Sequence, residues 1–337
     1  MTGVSSVFKK WHLLLSLLVI IFLTACGSEE SNGENKPLKL GFSALPSWYL
    51  WHLVEEKGFF EKNGVEVELV YFPVYADSLS ALNTGEIDGN SQALIDTIAP
   101  LENGIPLKPV FITDNSNGGD GLVATKDIQT VADLKGKKVG TEIGTIEHFF
   151  MLTALEQAGL SEKDVEFTNM AVQDAGTTFI AGNLDAAGLW EPFLSKAETE
   201  GEGHKLITSA EFPGLIADLF VVREEIAEER EEDIQNITAA WFEAVEYFKG
   251  NEEESLQIIA DAAGITVEEL AVGMEGFDLF TVEQNMKAME KGESYESIHY
   301  TADKNSEFLN KLGFIDENPD FNHVFTSAFI ENELNKD

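Results

Sequence analysis

Apolar and polar positions recur along the chain with two different periods, and the switches between them divide it into elements. "LKLGFSA" (38–44) and "VEVELVYF" (65–72) alternate every second residue, as strands with one buried face do. Between them, "WYLWHLVEEKGFF" (48–60) has helical spacing and predicts a helix that ends at Gly58. "YADSLSALNTGE" (75–86) returns to that spacing and stops at Gly85, "IDGNSQ" (87–92) predicts a short strand, "ALIDTIAPLENG" (93–104) a helix closed by Gly104, and "KPVFIT" (108–113) a strand. A second block repeats the alternation. Strands are expected at 121–125, 137–142, 165–170 and 186–190, with helices at 130–136, 144–160 and 174–184 between them. The last third is mostly helical, over 230–250, 253–264, 266–274 and 301–313.

Strands that alternate with helices predict the α/β class, with mainly parallel, helix-covered sheets. Two such blocks make two lobes with a cleft between them. Ligands in these folds gather at the carboxyl ends of strands, beside helix N-termini. The segment "DNSNGGDG" (114–121) falls at such a strand end and reads as a loop that is both cleft wall and hinge. It has glycines for tight turns but no lysine, and it follows no P-loop pattern.

Composition adds an address. Lys9 and Lys10 precede the apolar run "LLLSLLVIIFL" (13–23), which is shorter than the ~20 residues of a membrane span and reads as an export signal. "LTAC" (23–26) resembles a bacterial lipobox, which implies that Cys26, the only cysteine, is acylated and becomes the mature N-terminus. Residues 1–25 are then the signal peptide, and 26–37 a Gly/Ser-rich flexible tether. The body is expected on the outer face of the bacterial membrane, anchored by lipid without crossing it. The net charge of -38, with arginine only at 223 and 230, argues against nucleic acid as a partner. A lone cysteine leaves no disulfide framework, and no metal, cofactor or catalytic-triad spacing is found.

The motifs then carry a family likeness. "GFSALPSWYLWHLVEEKGFFEKNGVEVELVYF" (41–72), "ALNTGEIDG" (81–89), "VADLKGKKVGTEIGTIEHFFMLTALEQAGL" (131–160), "LDAAGLWEPFLSKA" (184–197) and "GFDLFTVEQNM" (276–286) resemble substrate-binding proteins of the nitrate/sulfonate/bicarbonate/taurine class of ABC importers. The resemblance covers roughly 38–315. It implies a periplasmic-binding-protein fold of type II, with two crossovers: residues 38–121 plus 218–337 as lobe 1 and 122–217 as lobe 2. It further implies a small-molecule ligand and, as partners, an ABC permease with its ATPase. "DNSNGGDG" also resembles the SNGxD stretch of a subset that includes members encoded beside urea or guanidine carboxylase genes and members described as nitrate or sulfonate binders.

Five segments are expected to line the cleft: 43–51, 90–97, 114–121, 141–148 and 188–193. None contains Lys or Arg; together they contain Asp96, Asp114, Asp120, Glu142, Glu147 and Glu191. The candidate ligand contacts are Ser43, Trp48, Trp51, Ser91, Gln92, Asn117, Asp120, Gly144, Thr145, His148, Trp190, Glu191 and Asp218. Each has a plainer role as well: Trp48 and Trp51 as core, Asp120 as a turn cap, Thr145 as a helix cap, His148 as a packed helix residue, Asp218 as a hinge residue. Carboxylates and ring faces suit a neutral or cationic nitrogen compound of the urea or guanidine type. The helix start at Gly144-Thr145 suits an anion such as sulfonate, taurine or nitrate. Two other classes stand beside a non-catalytic binder: a thiamine-precursor-synthase-like enzyme, whose Cys-rich motif is missing, and a lipoprotein that presents its ligand to a sensor.

Overall fold

The structure is a computed structural model and describes residues 36–317, 319 and 321–334. The export signal, Cys26 and nearly all of the tether lie outside the described residues. The chain runs β1 (Leu38–Ser43), α1 (Leu50–Glu56), α2 (Phe59–Lys62), β2 (Val67–Phe72), α3 (Tyr75–Thr84), β3 (Gly89–Ala93), α4 (Leu94–Glu102) and β4 (Leu107–Ser116). It continues through β5 (Asp120–Ala124), β6 (Lys138–Thr141), α5 (Ile146–Gln157), β7 (Glu166–Asn169), α6 (Val172–Ile180), β8 (Ala186–Trp190), α7 (Phe193–Glu200) and β9 (His204–Thr208). It returns as β10 (Ala217–Arg223), α8 (Glu224–Glu229), α9 (Glu231–Gly250), α10 (Glu252–Ala263), α11 (Val267–Met274), β11 (Phe277–Leu279), α12 (Val282–Ala288), α13 (Ile298–Leu312) and α14 (Ala328–Leu334).

Two sheets result, ordered β11-β4-β10-β3-β1-β2 and β7-β6-β8-β5-β9. The strands joined by helices, β3-β1-β2 and β7-β6-β8, are parallel. The strand that follows each crossing between the sheets, β5 after the first and β10 after the second, is antiparallel to both of its neighbours. The chain thus passes between the sheets twice, at 117–119 and at 209–216.

The first crossing corrects the reading of 114–121 as a loop. Asp114, Asn115 and Ser116 are the last residues of β4, and Asp120 is the first of β5, which leaves three residues between them. Their polar side chains do not prevent pairing, because β4 lies between β10 and β11 and its backbone bonds are met from both sides. The glycines serve a close approach. Asn117 and Gly119 each donate a backbone N–H to the Gly276 carbonyl, at 2.8 and 3.0 Å, and a Cβ on Gly276 would lie 2.5 Å from the Gly119 Cα.

The first sheet packs α1 and α9 through an aromatic cluster. The Trp51 ring lies 4.4 Å from Trp241 and 5.3 Å from Phe220, and its Nε1–H donates to the Ser91 hydroxyl at 2.8 Å. Trp51 and Ser91 are both fully buried. They are therefore core partners and not cleft residues. Each tryptophan on α1 and the preceding turn would fit either place by spacing, and the sheet register decides between them. Contacts between the two halves include α13 against α5, where Phe308 and Phe149 meet edge to face at 4.4 Å and Lys311 pairs with Glu156 at 2.6 Å.

Trp51→Phe keeps the ring packing and orphans the buried Ser91 hydroxyl. Urea denaturation is expected to register a loss of about 1–3 kcal/mol, with ligand affinity unchanged. A tenfold loss of affinity in the folded variant would return Trp51 to the binding site.

Candidate functional site

A cleft opens where the strand ends of both sheets meet. Ser43 and Trp48 come from the end of β1 and the turn after it, Tyr75 from the first residue of α3, and Asp218 from β10. From the second sheet come Asp120 at the start of β5, Trp190 at the end of β8 and Ile146 at the start of α5. Strand pairing sets Asp120 directly opposite Trp190, and Asp218 opposite both Ala93 and Asp114. The Tyr75 ring lies 5.5 Å from Trp48 and 5.6 Å from Trp190, so three aromatic rings wall the space from both sheets. The free volume is ≈ 20 Å³, room for about one water molecule. A larger solute would need the cleft to open.

The charges around this space are acidic. Among the described residues, no Lys, Arg or His lines it. Asp120 and Asp218 border it directly, while Asp114 and Glu147 lie behind them, fully buried. No hydrogen-bond donor reaches either carboxyl oxygen of Glu147, whereas the buried Thr113 and Ser47 hydroxyls lie beside Asp114. Burial pushes all four acids up. Asp114 rises to about 7, against the pull of nearby Thr113 and Ser47. Asp120 rises to about 6, held lower by Ser116 and Glu147. Glu147 and Asp218 rise strongly, by burial and then by the charge of Asp120 on the first and Asp114 on the second. Asp96 rises to about 7 through burial; the Tyr75 hydroxyl, which donates to it at 2.8 Å, holds it down, as does the Ile146 N–H. Asp96, from the first turn of α4, thus sits at the N-terminus of α5, where an anionic ligand would be expected.

The expected contacts divide accordingly. Ser43, Trp48, Asp120, Trp190 and Asp218 line the cleft. Gln92 faces the interior beside it, donating to Thr97 at 2.8 Å and accepting from Asn90 at 3.2 Å. Asn117 is exposed and donates to Asp278 at 3.1 Å, on another surface. His148 is buried, with Nε2 2.8 Å from Glu162, its ring stacked on Phe167 and Nδ1 facing the Gly144 N–H at 3.3 Å. Gly144 is exposed, and the Thr145 hydroxyl donates to the Glu142 carbonyl at 2.9 Å. Glu191 is held by Lys205 at 2.9 Å and by the Ser195 hydroxyl at 2.7 Å, outside the lining. Tyr75 and Ile146 were missed; the starts of helices next to predicted strand ends were the available signal. Among the described residues no group of three or more His, Cys, Asp or Glu has the arrangement of a metal site.

Two α/β lobes joined by two crossings, with a largely apolar, acid-bordered cleft between them, make the periplasmic-binding-protein fold. Residues 52–255 match the NMT1/THI5-like family, and the chain belongs to it. A Bacillus subtilis (strain 168) protein named for binding aliphatic sulfonates is 28% identical over 338 residues, covering 96% of this chain and 97% of the relative. An Escherichia coli (strain K12) protein named likewise is 30% identical over 202 residues, 59% of this chain and 63% of its own length. The crystal structure of the periplasmic aliphatic sulphonate binding protein SsuA from Escherichia coli superposes with a TM-score of 0.71 at 23% identity, covering 88% of this chain and 99% of that one. The chain is a substrate-binding protein of the ABC-import type and not an enzyme.

The raised acids fix a pH dependence. In the unfolded chain carboxyls titrate near ~4; here the folded values for Asp96, Asp114 and Asp120 are about 7, 7 and 6. Between these limits the folded state holds more protons, so stability is greatest at the acid end and is lost as pH rises to about 7. The ligand-free protein is expected to unfold at lower urea concentration at pH 8 than at pH 5.5. Asp114→Asn should recover on the order of 1 kcal/mol or more at pH 8, about half as much at pH 5.5 and little near pH 4, since each tenfold change in a carboxyl's acidity on folding is worth ~1.4 kcal/mol. A variant no more stable than wild type at pH 8 would show that Asp114 carries no such penalty.

Proposed function

We propose that this chain is an extracytoplasmic binding lipoprotein, anchored through Cys26, that delivers a small neutral or cationic nitrogen compound of the urea or guanidine type to an ABC permease and its ATPase. The observation that carries the ligand reading is the lining itself. Asp120 and Asp218 border the space, three aromatic rings line it, and no basic side chain among the described residues does. Carboxylates accept N–H donors strongly, and aromatic faces attract cations by about 0.5–2 kcal/mol each. The helix N-terminus that would otherwise receive an anion is faced by Asp96. The narrow space supports a compact solute. The anchor and the outer-face location are supported by "LTAC" after an export-type apolar run.

A second reading, an anionic sulfonate, is favoured by the relatives' names. It also has donors available, because the Trp48 Nε1–H and the Ser43 hydroxyl are buried in the cleft wall without partners. Acids that are protonated near neutral pH add O–H donors to that set.

The two readings predict opposite signs. A cation favours ionised carboxyls, so its binding expels protons and tightens as pH rises from 5.5 to 7.5. An anion favours protonated carboxyls and weakens over the same range. Calorimetric titration with guanidinium, urea, taurine and nitrate at both pH values separates them. Guanidinium or urea is expected to bind, guanidinium more tightly at pH 7.5. Asp120→Asn and Asp218→Asn should each weaken guanidinium by about 30-fold or more, as the loss of one partner from a buried charged contact does. Binding of taurine or nitrate alone, tighter at pH 5.5, would overturn the nitrogen-compound reading and leave the transport reading standing.

A further inference from the structure

The cleft wall holds two hydrogen-bonding groups that the protein itself leaves unused. The Ser43 hydroxyl, at the end of β1, and the Trp48 Nε1–H, in the turn after it, belong to residues that border the ligand space and are more than nine-tenths buried. Among the described residues no partner reaches either group. The Tyr75 hydroxyl, on the same side, is already committed: it accepts the Ala93 N–H at 2.9 Å and donates to Asp96 at 2.8 Å. Asp218 from the first sheet and Asp120 from the second complete the polar lining with carboxyl oxygens.

These groups ask different things of a solute. An indole N–H only donates, whereas a serine hydroxyl does either. A solute that fills the space takes water away from Trp48, so it brings an acceptor or leaves a buried donor unmet, at about a tenfold loss of affinity or more. Guanidinium has no acceptor to bring. Every one of its nitrogens carries hydrogens and none has a free lone pair, so an edge turned to Trp48 sets donor against donor. A carbonyl oxygen has two lone pairs, which is what one indole N–H and one hydroxyl fill. A sulfonate has three oxygens and a full charge, for which this wall supplies two neutral donors and, among the described residues, no cation. Burial, which pushes Asp120 and Asp218 up, also disfavours the ionised carboxyls that a cation needs.

We infer that the solute is a compact amide of the urea type, held with its carbonyl oxygen toward Ser43 and Trp48 and its N–H groups toward Asp120 and Asp218. This rests on the nitrogen-compound reading of the site and selects the neutral member over the cationic one. Ser43 and Trp48 are then the residues that set specificity, because they reject a compound whose every edge is a donor. The acids alone do not make that choice, since they accept N–H groups from either. Urea has two amino groups, one for a carboxyl on each sheet, so the same pose joins the lobes.

Trp48→Phe keeps a ring in the wall and removes the N–H, and Ser43→Ala removes the hydroxyl. Urea, guanidinium chloride and taurine are titrated calorimetrically at millimolar concentrations and pH 7 into the full mature chain and both variants. Wild type is expected to bind urea about tenfold or more tighter than guanidinium, as a site with a buried donor discriminates against a compound that cannot pair it. Trp48→Phe should weaken urea about tenfold or more, and Ser43→Ala about fivefold or more, with the preference for urea over guanidinium falling in both. Ser43→Ala carries the test should Trp48→Phe fail to fold. Guanidinium bound by wild type as tightly as urea, or both compounds weakened equally by the folded variants, overturns the inference and leaves the nitrogen-compound reading standing. Taurine bound by wild type in place of urea and guanidinium overturns both.

Discussion

The antiparallel pairing of β10 with β4 sets Asp218 against Asp114 in the interior, and much of the molecule is arranged around that placement. β10 is the strand by which the chain returns from the second sheet, and it inserts between β3 and β4 in the first. Its hydrogen bonds fix the position of Asp218 at the mouth of the cleft. They also bring Asp114 behind it, where no solvent reaches. Buried like charges carry a cost that the fold offsets with the apolar packing of Leu219, Phe220, Val221 and Val222 on the same strand, all fully buried. The polar end of β10 faces the cleft, and its apolar remainder secures the strand.

The architecture was legible because its signals are local and redundant. Period-two runs followed by period-3.6 runs occur in both halves, so one misread element does not disturb the class. What was missed depends on contacts far apart in sequence. "DNSNGGDG" has the composition of a loop, yet its first three residues are strand because β10 and β11, about a hundred and more residues later, pair with them. β10 itself, in "IADLFVV", is apolar apart from Asp218 and has no alternation to announce it. Such a run fits a strand buried on both faces equally well as a crossing segment.

The site was legible in its chemistry and less so in its members. The absence of basic residues from the strand ends was readable, and Trp48, Trp190, Asp120 and Asp218 follow from placing polar or aromatic residues at those ends. Ser91 and Gln92 could not be placed because adjacent strand residues face opposite sides, and the face toward the cleft was unknown. Ser91 turns to Trp51, and Gln92 turns to Asn90 and Thr97. His148 and Glu191 were drawn away by partners with no sequence signature, Glu162 in one case and Lys205 in the other.

On the proposed cation reading, the position of the acids would couple binding to lobe motion. Asp218 and Asp120 lie on strands of different sheets, each within a few residues of a crossing between them. A solute that bridges them joins the two sheets, and its differential affinity for the closed arrangement is what shifts the lobes together. Without a solute, the same acids repel across the cleft once they ionise. Ligand-free and loaded states therefore differ in electrostatic energy at the place where the chain can hinge. That coupling requires unsatisfied carboxyls in the free protein. A cleft whose acids were all paired with lysine or arginine would be more stable when empty and would have less to gain from closing on a ligand. The destabilised acids that look like a defect of the empty protein are, on this argument, the source of its response to solute.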